Sequence, residues 1–216
     1  MAMALVLPEL LALIEADAGP PDPLPATDGW ELVLAENVAY LVDDDVRAEC
    51  MTSLRREVGL DPEAILSAGP DQLMAVVAGM RPADRVERLR RCAELRIAGA
   101  SWKYPGIGQP GVERIELFSG ERAVLALDSA GARVLYRLGY GERRPSYGAM
   151  YRQIQAAAQA ELPVEFRVLQ AAHQLLRRHG KALCTRNRPA CDECPVRQHC
   201  PAGSGLGPVE DPFAKP

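Results

Sequence analysis

Aromatic residues are scarce in this sequence: three phenylalanines, two tryptophans and six tyrosines among 216 residues. Leu, Ala and Val must therefore fill the interior, and stretches rich in Ala, Leu and Arg favour helix over strand. Basic residues are missing from the first part of the chain, Arg47 being the first. The leading apolar stretch, 1–14, thus lacks the positive flank of a signal peptide, and Pro8 and Glu9 interrupt it well short of a membrane span. These absences predict a cytoplasmic protein with no membrane association. Cysteines in that compartment stay reduced, so closely spaced ones point to a metal rather than to disulfides. Net positive charge is lacking too, and the value of −4 excludes a uniformly basic nucleic-acid binder.

The charge that is present is unevenly placed. Over residues 133–200, twelve Lys and Arg stand against five Asp and Glu; the rest of the chain carries thirteen against twenty-four. A basic C-terminal half on an acidic protein suits one face meeting phosphate, although a solvated helical surface has the same composition. The length, with 48% hydrophobic and 25% charged residues, fits a globular chain of one domain or two small ones.

Helical periodicity runs through most of the chain. Leu32, Val33, Val38 and Leu41 form one apolar stripe after Trp30. Leu54, Val58, Ile65, Leu66, Leu73, Val76 and Val77 continue it in short helices cut by Gly59, Pro62 and Pro70. Val86, Leu89, Leu95 and Ile97 mark another. Helices are predicted over 111–118, 124–138, 147–160 and 166–179. No alternating strand pattern exceeds a few residues, so the fold class is all-α. The Pro-rich stretch 19–25 reads as a linker or extended arm, and the Gly- and Pro-rich tail after Pro201 as disordered.

Four of the six cysteines, Cys184, Cys191, Cys194 and Cys200, follow one another with the spacing C-x6-C-x2-C-x5-C. Soft thiolates this close suit an iron–sulfur cluster, and a structural zinc ion is the alternative. Lys181, Arg186, Arg188 and Arg197 lie among them and could meet a DNA backbone. Cys50 and Cys92, standing alone, read as buried core thiols. Upstream, Tyr104-Pro105-Gly106-Ile107-Gly108 is a tight Gly-rich turn before a helix. Glycines there let backbone N–H groups approach a phosphate.

The cysteine spacing resembles the cluster loop of endonuclease III and of its relative, the adenine glycosylase that acts opposite 8-oxoguanine. Pro105-Gly106-Ile107-Gly108 resembles the hairpin of that family's helix-hairpin-helix motif, which reads L-P-G-V-G. The segment from Leu127 to Leu135, beginning Leu-Asp128-Ser, resembles the one that holds the family's catalytic aspartate. Trp30-Glu31-Leu32-Val33-Leu34 resembles the opening of its helical barrel. The match spans about 30–200 and its motifs occur in the family's order.

The resemblance implies a two-lobed all-α glycosylase fold. A helical barrel with the hairpin would occupy 30–122, and a second lobe with a 4Fe-4S cluster would combine 1–29 with 123–205, followed by a disordered tail, 206–216. It implies a monomer that takes double-stranded DNA with a damaged, mispaired or missing base into the cleft between the lobes. The four cysteines would be the cluster ligands, and Gly106, Ile107, Gly108 and Gly111 would contact DNA. Asp128 would be catalytic, stabilising the electron-poor sugar as the glycosidic bond breaks. Aligning from Trp30 places Glu36 at the adenine enzyme's catalytic glutamate. Leu32, Val33, Leu34 and Val38 would bury Glu36 as a neutral acid able to protonate the departing base. Leu41 falls at the family's DNA-probing glutamine and would be an apolar wedge behind a flipped base.

The sequence departs from endonuclease III in one decisive place. Pro110 stands where the bifunctional enzymes carry the lysine that attacks the sugar, and proline has no nucleophile. Lys103 lies before the hairpin and does not inherit the role. The expected activity is therefore hydrolysis of the N-glycosidic bond without strand cleavage. The alternatives are a non-catalytic reader of damaged or abasic DNA and a glycosylase with lyase activity that uses another amine. Two further departures are the three carboxylates Asp43–Asp45 beside the wedge and a short approach from Cys92 to the hairpin. The lesion is not legible, because pocket shape sets base choice.

Overall fold

The computed structural model describes residues 5–21, 28–99 and 104–213. Lys103 and residues 22–25 of the Pro-rich arm lie outside the described residues. The fold is all-α. Among the described residues ten α-helices run in the order α1 (Leu7–Ala18), α2 (Gly29–Val38), α3 (Asp44–Glu57), α4 (Pro62–Ser67), α5 (Pro70–Val76), α6 (Pro82–Ile97), α7 (Gln109–Ser119), α8 (Ser129–Arg137), α9 (Tyr147–Gln159) and α10 (Phe166–Ala182). Two-residue strands β1 (Ala39–Tyr40) and β2 (Ala78–Gly79) form a parallel pair, Ala39 opposite Ala78 and Tyr40 opposite Gly79. Prolines open α1, α4, α5 and α6, where a missing N–H costs nothing. Among the described residues no helix is long and apolar enough to cross a membrane.

The chain divides into two units, one of residues 25–119 and one of 1–24 with 120–216. In the first, α2 is the central element and packs against α3, α6 and α7, while α4 lies on α6. Its Leu32, Val33, Leu34 and Val38 are fully buried with Leu54, Ile65, Leu73, Leu89 and Ile115. Each such side chain contributes about 1.5–3 kcal/mol by leaving water. Cys50 and Cys92 belong to this core, and burial pushes the Cys92 thiol up to about 12, leaving it inert. Helix α6 ends at Ile97.

In the second unit α8 packs on α10 and α9, and α1 packs on α10. Leu169, Ala172, Leu175, Leu176 and Gly180 give α10 its inward stripe at helical spacing. Gly180 permits the close crossing with α8: a Cβ there would sit 2.6 Å from the Ala130 carbonyl oxygen. Arg178 donates to the Gly19 and Pro20 carbonyls at 2.6 and 2.9 Å and so ties down the end of α1.

The predicted helix over 124–138 starts later than expected. Val124, Leu125, Ala126 and Leu127 are all buried in a non-helical segment. Four consecutive apolar residues cannot all face inward from one side of a helix. Side chains take over the backbone instead. Gln159 Oε1 accepts from Leu125 N, Gln155 Nε2 donates to Leu125 O, Tyr151 Oη accepts from Leu127 N and His173 Nδ1 donates to Ala126 O, at 2.7–3.3 Å. In the tail, 204–206 and 208–210 are exposed, whereas Asp211 and Pro212 are buried and Phe213 is half-buried.

Candidate functional site

The hairpin and Glu36 belong to the unit of residues 25–119. Tyr104 is buried against Trp30, ring centroids 6.0 Å apart, and its carbonyl accepts from Ile107 N at 3.3 Å to close the turn. Gly106 has φ +79°, and a Cβ there would lie 2.8 Å from Asn37 Oδ1 and 2.9 Å from Arg88. Glycine is thus required on two counts. A Cβ on Gly108 would meet nothing nearer than Pro110 Cδ at 3.8 Å, and its carbonyl accepts from Val112 N at 3.0 Å as α7 begins. Gly106 and Gly108 are exposed, Ile107 half-buried. An exposed turn leading into a helix N-terminus can take up a phosphate. Gly111 is half-buried instead. A Cβ there would press on Ile107 Cγ2 at 2.8 Å and lie 3.7 Å from Glu36 Oε1, so its bareness serves packing.

Glu36 is not buried as expected. Its neighbours Leu32, Val33, Leu34 and Val38 point into the core, whereas Glu36 sits at the edge of that stripe and pairs with Arg114 of α7 at 2.7 Å. An acid acting from this position would first have to break the pair.

Leu41 is not on a helix. Helix α2 stops at Val38, and after β1 the chain turns through Leu41 with φ +55°, a left-handed conformation that costs about 1 kcal/mol or more for a leucine. The side chain is 69% exposed. Met80, 55% exposed, follows β2, and its N–H donates to the Tyr40 carbonyl at 3.2 Å. Two exposed apolar side chains therefore stand on paired loops. Nothing in the local sequence announces Met80; only the β1–β2 pairing makes it a neighbour of Leu41. Arg47 braces the loop by donating to the Ala35 and Ala39 carbonyls at 2.6 and 3.0 Å. Asp43 stands at the N-cap of α3, and Asp44 and Asp45 occupy its first turn, where a helix favours negative charge.

Asp128 lies in the other unit as the N-cap of α8, its Oδ1 accepting from Gly131 N at 2.7 Å. Its second oxygen forms an ion pair with Arg177 of α10. Burial works to raise this carboxyl. The Arg177 guanidinium, the Gly131 N–H and His173 outweigh it and hold the group below the usual aspartate value. The side chain stays 24% exposed, so an ionised carboxylate is presented at the surface. Arg177 was not legible as its partner, since it reaches Asp128 only through the packing of α10 on α8. Tyr147 stands at the start of α9, its hydroxyl pushed up by burial and then by Asp128 and Asp211.

Cys184, Cys191, Cys194 and Cys200 all line one cavity, with Arg137 and His179. All four are free and half-buried. As they stand, no three Cys, His, Asp or Glu side chains among the described residues are grouped to hold a single metal ion. The thiols are instead spread around the cavity wall. Arg137 Nη1 donates to Cys184 Sγ at 3.2 Å and Gly203 N to Cys200 Sγ at 3.4 Å. Burial raises the thiols of Cys194 and Cys200, with backbone N–H groups working in the opposite direction. Arg137 is almost wholly buried and also donates to the carbonyls of Cys184, Thr185, Arg186 and Val209. Its sequence signal was a pair of arginines, Arg133 and Arg137, one turn apart on a helix otherwise rich in Ala, Val and Leu.

This architecture is the helix-hairpin-helix glycosylase fold. Its solved counterparts include endonuclease III in a trapped covalent intermediate with DNA, the estranged-adenine complex (TM-score 0.75, 17% identity, 91% of this chain and 94% of that one). A non-covalent endonuclease III–DNA complex matches with TM-score 0.73 at 16% identity, and a thermostable thymine-DNA glycosylase with 0.72 at 14%, both with the same coverage. At these identities the likeness establishes the fold, and at that level the resemblance drawn from the motifs holds. A Methanocaldococcus jannaschii protein whose curated name assigns it to the DNA repair glycosylases is 27% identical over 95 residues, which is 44% of this chain and 41% of that protein. The match thus spans about two fifths of the curated relative. No protein-family model matches the chain.

Proposed function

We propose that this chain is a base-excision repair glycosylase that hydrolyses the N-glycosidic bond of a damaged or mispaired base in double-stranded DNA and leaves the strand uncut. The observation that carries the reading is Asp128, an ionised carboxylate fixed at a helix N-cap in a fold of the endonuclease III kind. Beside C1′ of the sugar it would stabilise the positive charge that develops as the base departs. Pro110 is the ground for excluding strand cleavage, since it offers no amine for a Schiff base. Gly106, Ile107 and Gly108 would receive a backbone phosphate. Gly111, assigned with them, would act by seating the turn on α7. Leu41, joined by Met80, would fill the gap left by the flipped base. Glu36 would protonate the base once Arg114 is drawn away from it.

Cys184, Cys191, Cys194 and Cys200 would hold a 4Fe-4S cluster. The donor set fits in its chemistry: four thiols line one cavity, and N–H groups of Arg137 and Gly203 donate to two of the sulfurs. When bound, the cluster would supply a rigid core for the basic loop carrying Arg186, Arg188 and Arg197.

A second reading has its own observation. Both proposed carboxylates are held by arginines, Asp128 by Arg177 and Glu36 by Arg114, as a non-catalytic reader of damaged DNA would keep them. Single-turnover base release separates the two. Asp128→Asn should lower the rate about 100- to 1000-fold, the usual loss for one charge-stabilising group. An unchanged rate would sink the mechanism. Borohydride trapping should yield no covalent DNA adduct; an adduct would mean that another amine does the work of the missing lysine.

A further inference from the structure

We propose that residues 208–213 form a strap belonging to the cysteine site, with Asp211 as the positioning residue that sets the Cys184 segment. The proposal rests on the reading of the four cysteines as cluster ligands.

The path of the chain after Cys200 supports it. Leu206 N donates to the Pro201 carbonyl at 2.8 Å, which turns the chain back toward the cavity. Val209 lines that cavity, and its carbonyl accepts from Arg137 Nε at 2.7 Å. Two residues on, the Asp211 side chain is 2% exposed. Its Oδ2 lies 2.6 Å from Arg186 Nε and 3.8 Å from Arg133 Nη1. The Arg186 contact is off the N–H axis, so it is a charge pair rather than a hydrogen bond. At the far end Phe213 N donates to Asp211 Oδ1 at 2.9 Å, and the Phe213 ring packs on Tyr147 with centroids 5.0 Å apart.

The arginines that meet the strap also hold the first cysteine. Arg133 Nε donates to the Cys184 carbonyl at 2.9 Å. Arg137 Nη1 reaches the Cys184 carbonyl and sulfur, both at 3.2 Å, and the Thr185 carbonyl at 2.8 Å. Two buried guanidiniums therefore grip Cys184 and Thr185, and one buried carboxylate beside them balances Arg133 and Arg186. Without it Arg133, 6% exposed, would be a buried cation stripped of its carboxylate partner. The guanidinium would shift toward water, and its grip on Cys184 would loosen. Partners of this kind, one step removed from the ligands, typically govern metal retention. Val209 adds the second effect, covering one side of the cavity.

The test uses the full chain purified without oxygen, Asp211→Asn, and a chain ended at Gly207. Iron per chain, the visible absorbance of the cluster during exposure to air, and helix content by circular dichroism are followed together. Both variants should lose the cluster about 10-fold faster than the parent, the usual scale for such partners, with helix content unchanged. Equal decay in all three would overturn the strap while leaving the cluster intact. Absence of iron from the parent chain would remove the cluster reading, and the strap with it. If the shortened chain does not fold, Asp211→Asn decides alone, because it keeps the side chain's shape and removes only the charge.

Discussion

Asp128 carries two tasks that different substitutions separate. As an N-cap it satisfies the Gly131 N–H, and as an anion it meets Arg177. Asn can cap but has no charge; Ala does neither and should cost about 1 kcal/mol more in stability. The sign of the pH dependence follows from the depressed carboxyl. The native state favours the ionised form, so the charge contributes stability in full above the unfolded aspartate value of about 3.9. That contribution is lost as pH falls through the lower native value. Urea unfolding of the parent and Asp128→Asn across acidic pH should show a gap above about pH 5 that narrows as pH falls below the unfolded value of about 3.9. A gap that widened on acidification would contradict the assignment. Leu41 gives the opposite kind of test. Being 69% exposed, Leu41→Ala should change stability by no more than about 0.5 kcal/mol, yet base release should fall. Normal release would remove the wedge. Asp128 was legible because a motif surrounds it. The arginines that hold Asp128 and Glu36 were not, because each comes from a helix that only packing brings near.

Among elements, the hairpin makes the sharpest demand on the chain. At Gly106 any side chain meets Asn37 and Arg88 while the backbone sits at φ +79°. Gly106→Ala should cost about 1–3 kcal/mol by thermal or chemical unfolding and weaken binding to duplex DNA. A variant of unchanged stability would mean that the turn yields. Most helices could be read from sequence, since α6, α9 and α10 carry apolar residues at helical spacing and α2, α8 and α9 begin with a capping Asp or Ser. Two stretches misled for physical reasons. The run Val124–Leu127 reads as helix or buried non-helical chain alike, and only the side chains of α9 and α10 settle the matter. Leu41 continued the apolar period of α2, but the chain leaves the helix at Ala39 to pair with Ala78, a partner that periodicity does not see.

For the molecule as a whole, four cysteines close in sequence foretold one cavity, whereas the tail's composition gave no hint of Asp211. Small polar residues and prolines do not show that a buried cation waits for one carboxylate, and Arg133 was that cation. The central claim concerns the reaction. Its most direct test is incubation of the protein with duplexes bearing a panel of damaged and mismatched bases, scoring strand breaks with and without hot alkali. Breaks on at least one duplex that appear only after alkali are predicted, since base removal leaves an abasic site that alkali cuts. Breaks without alkali would contradict the assignment of a glycosylase that leaves the strand whole, and no breaks on any duplex that the protein binds would contradict catalysis itself.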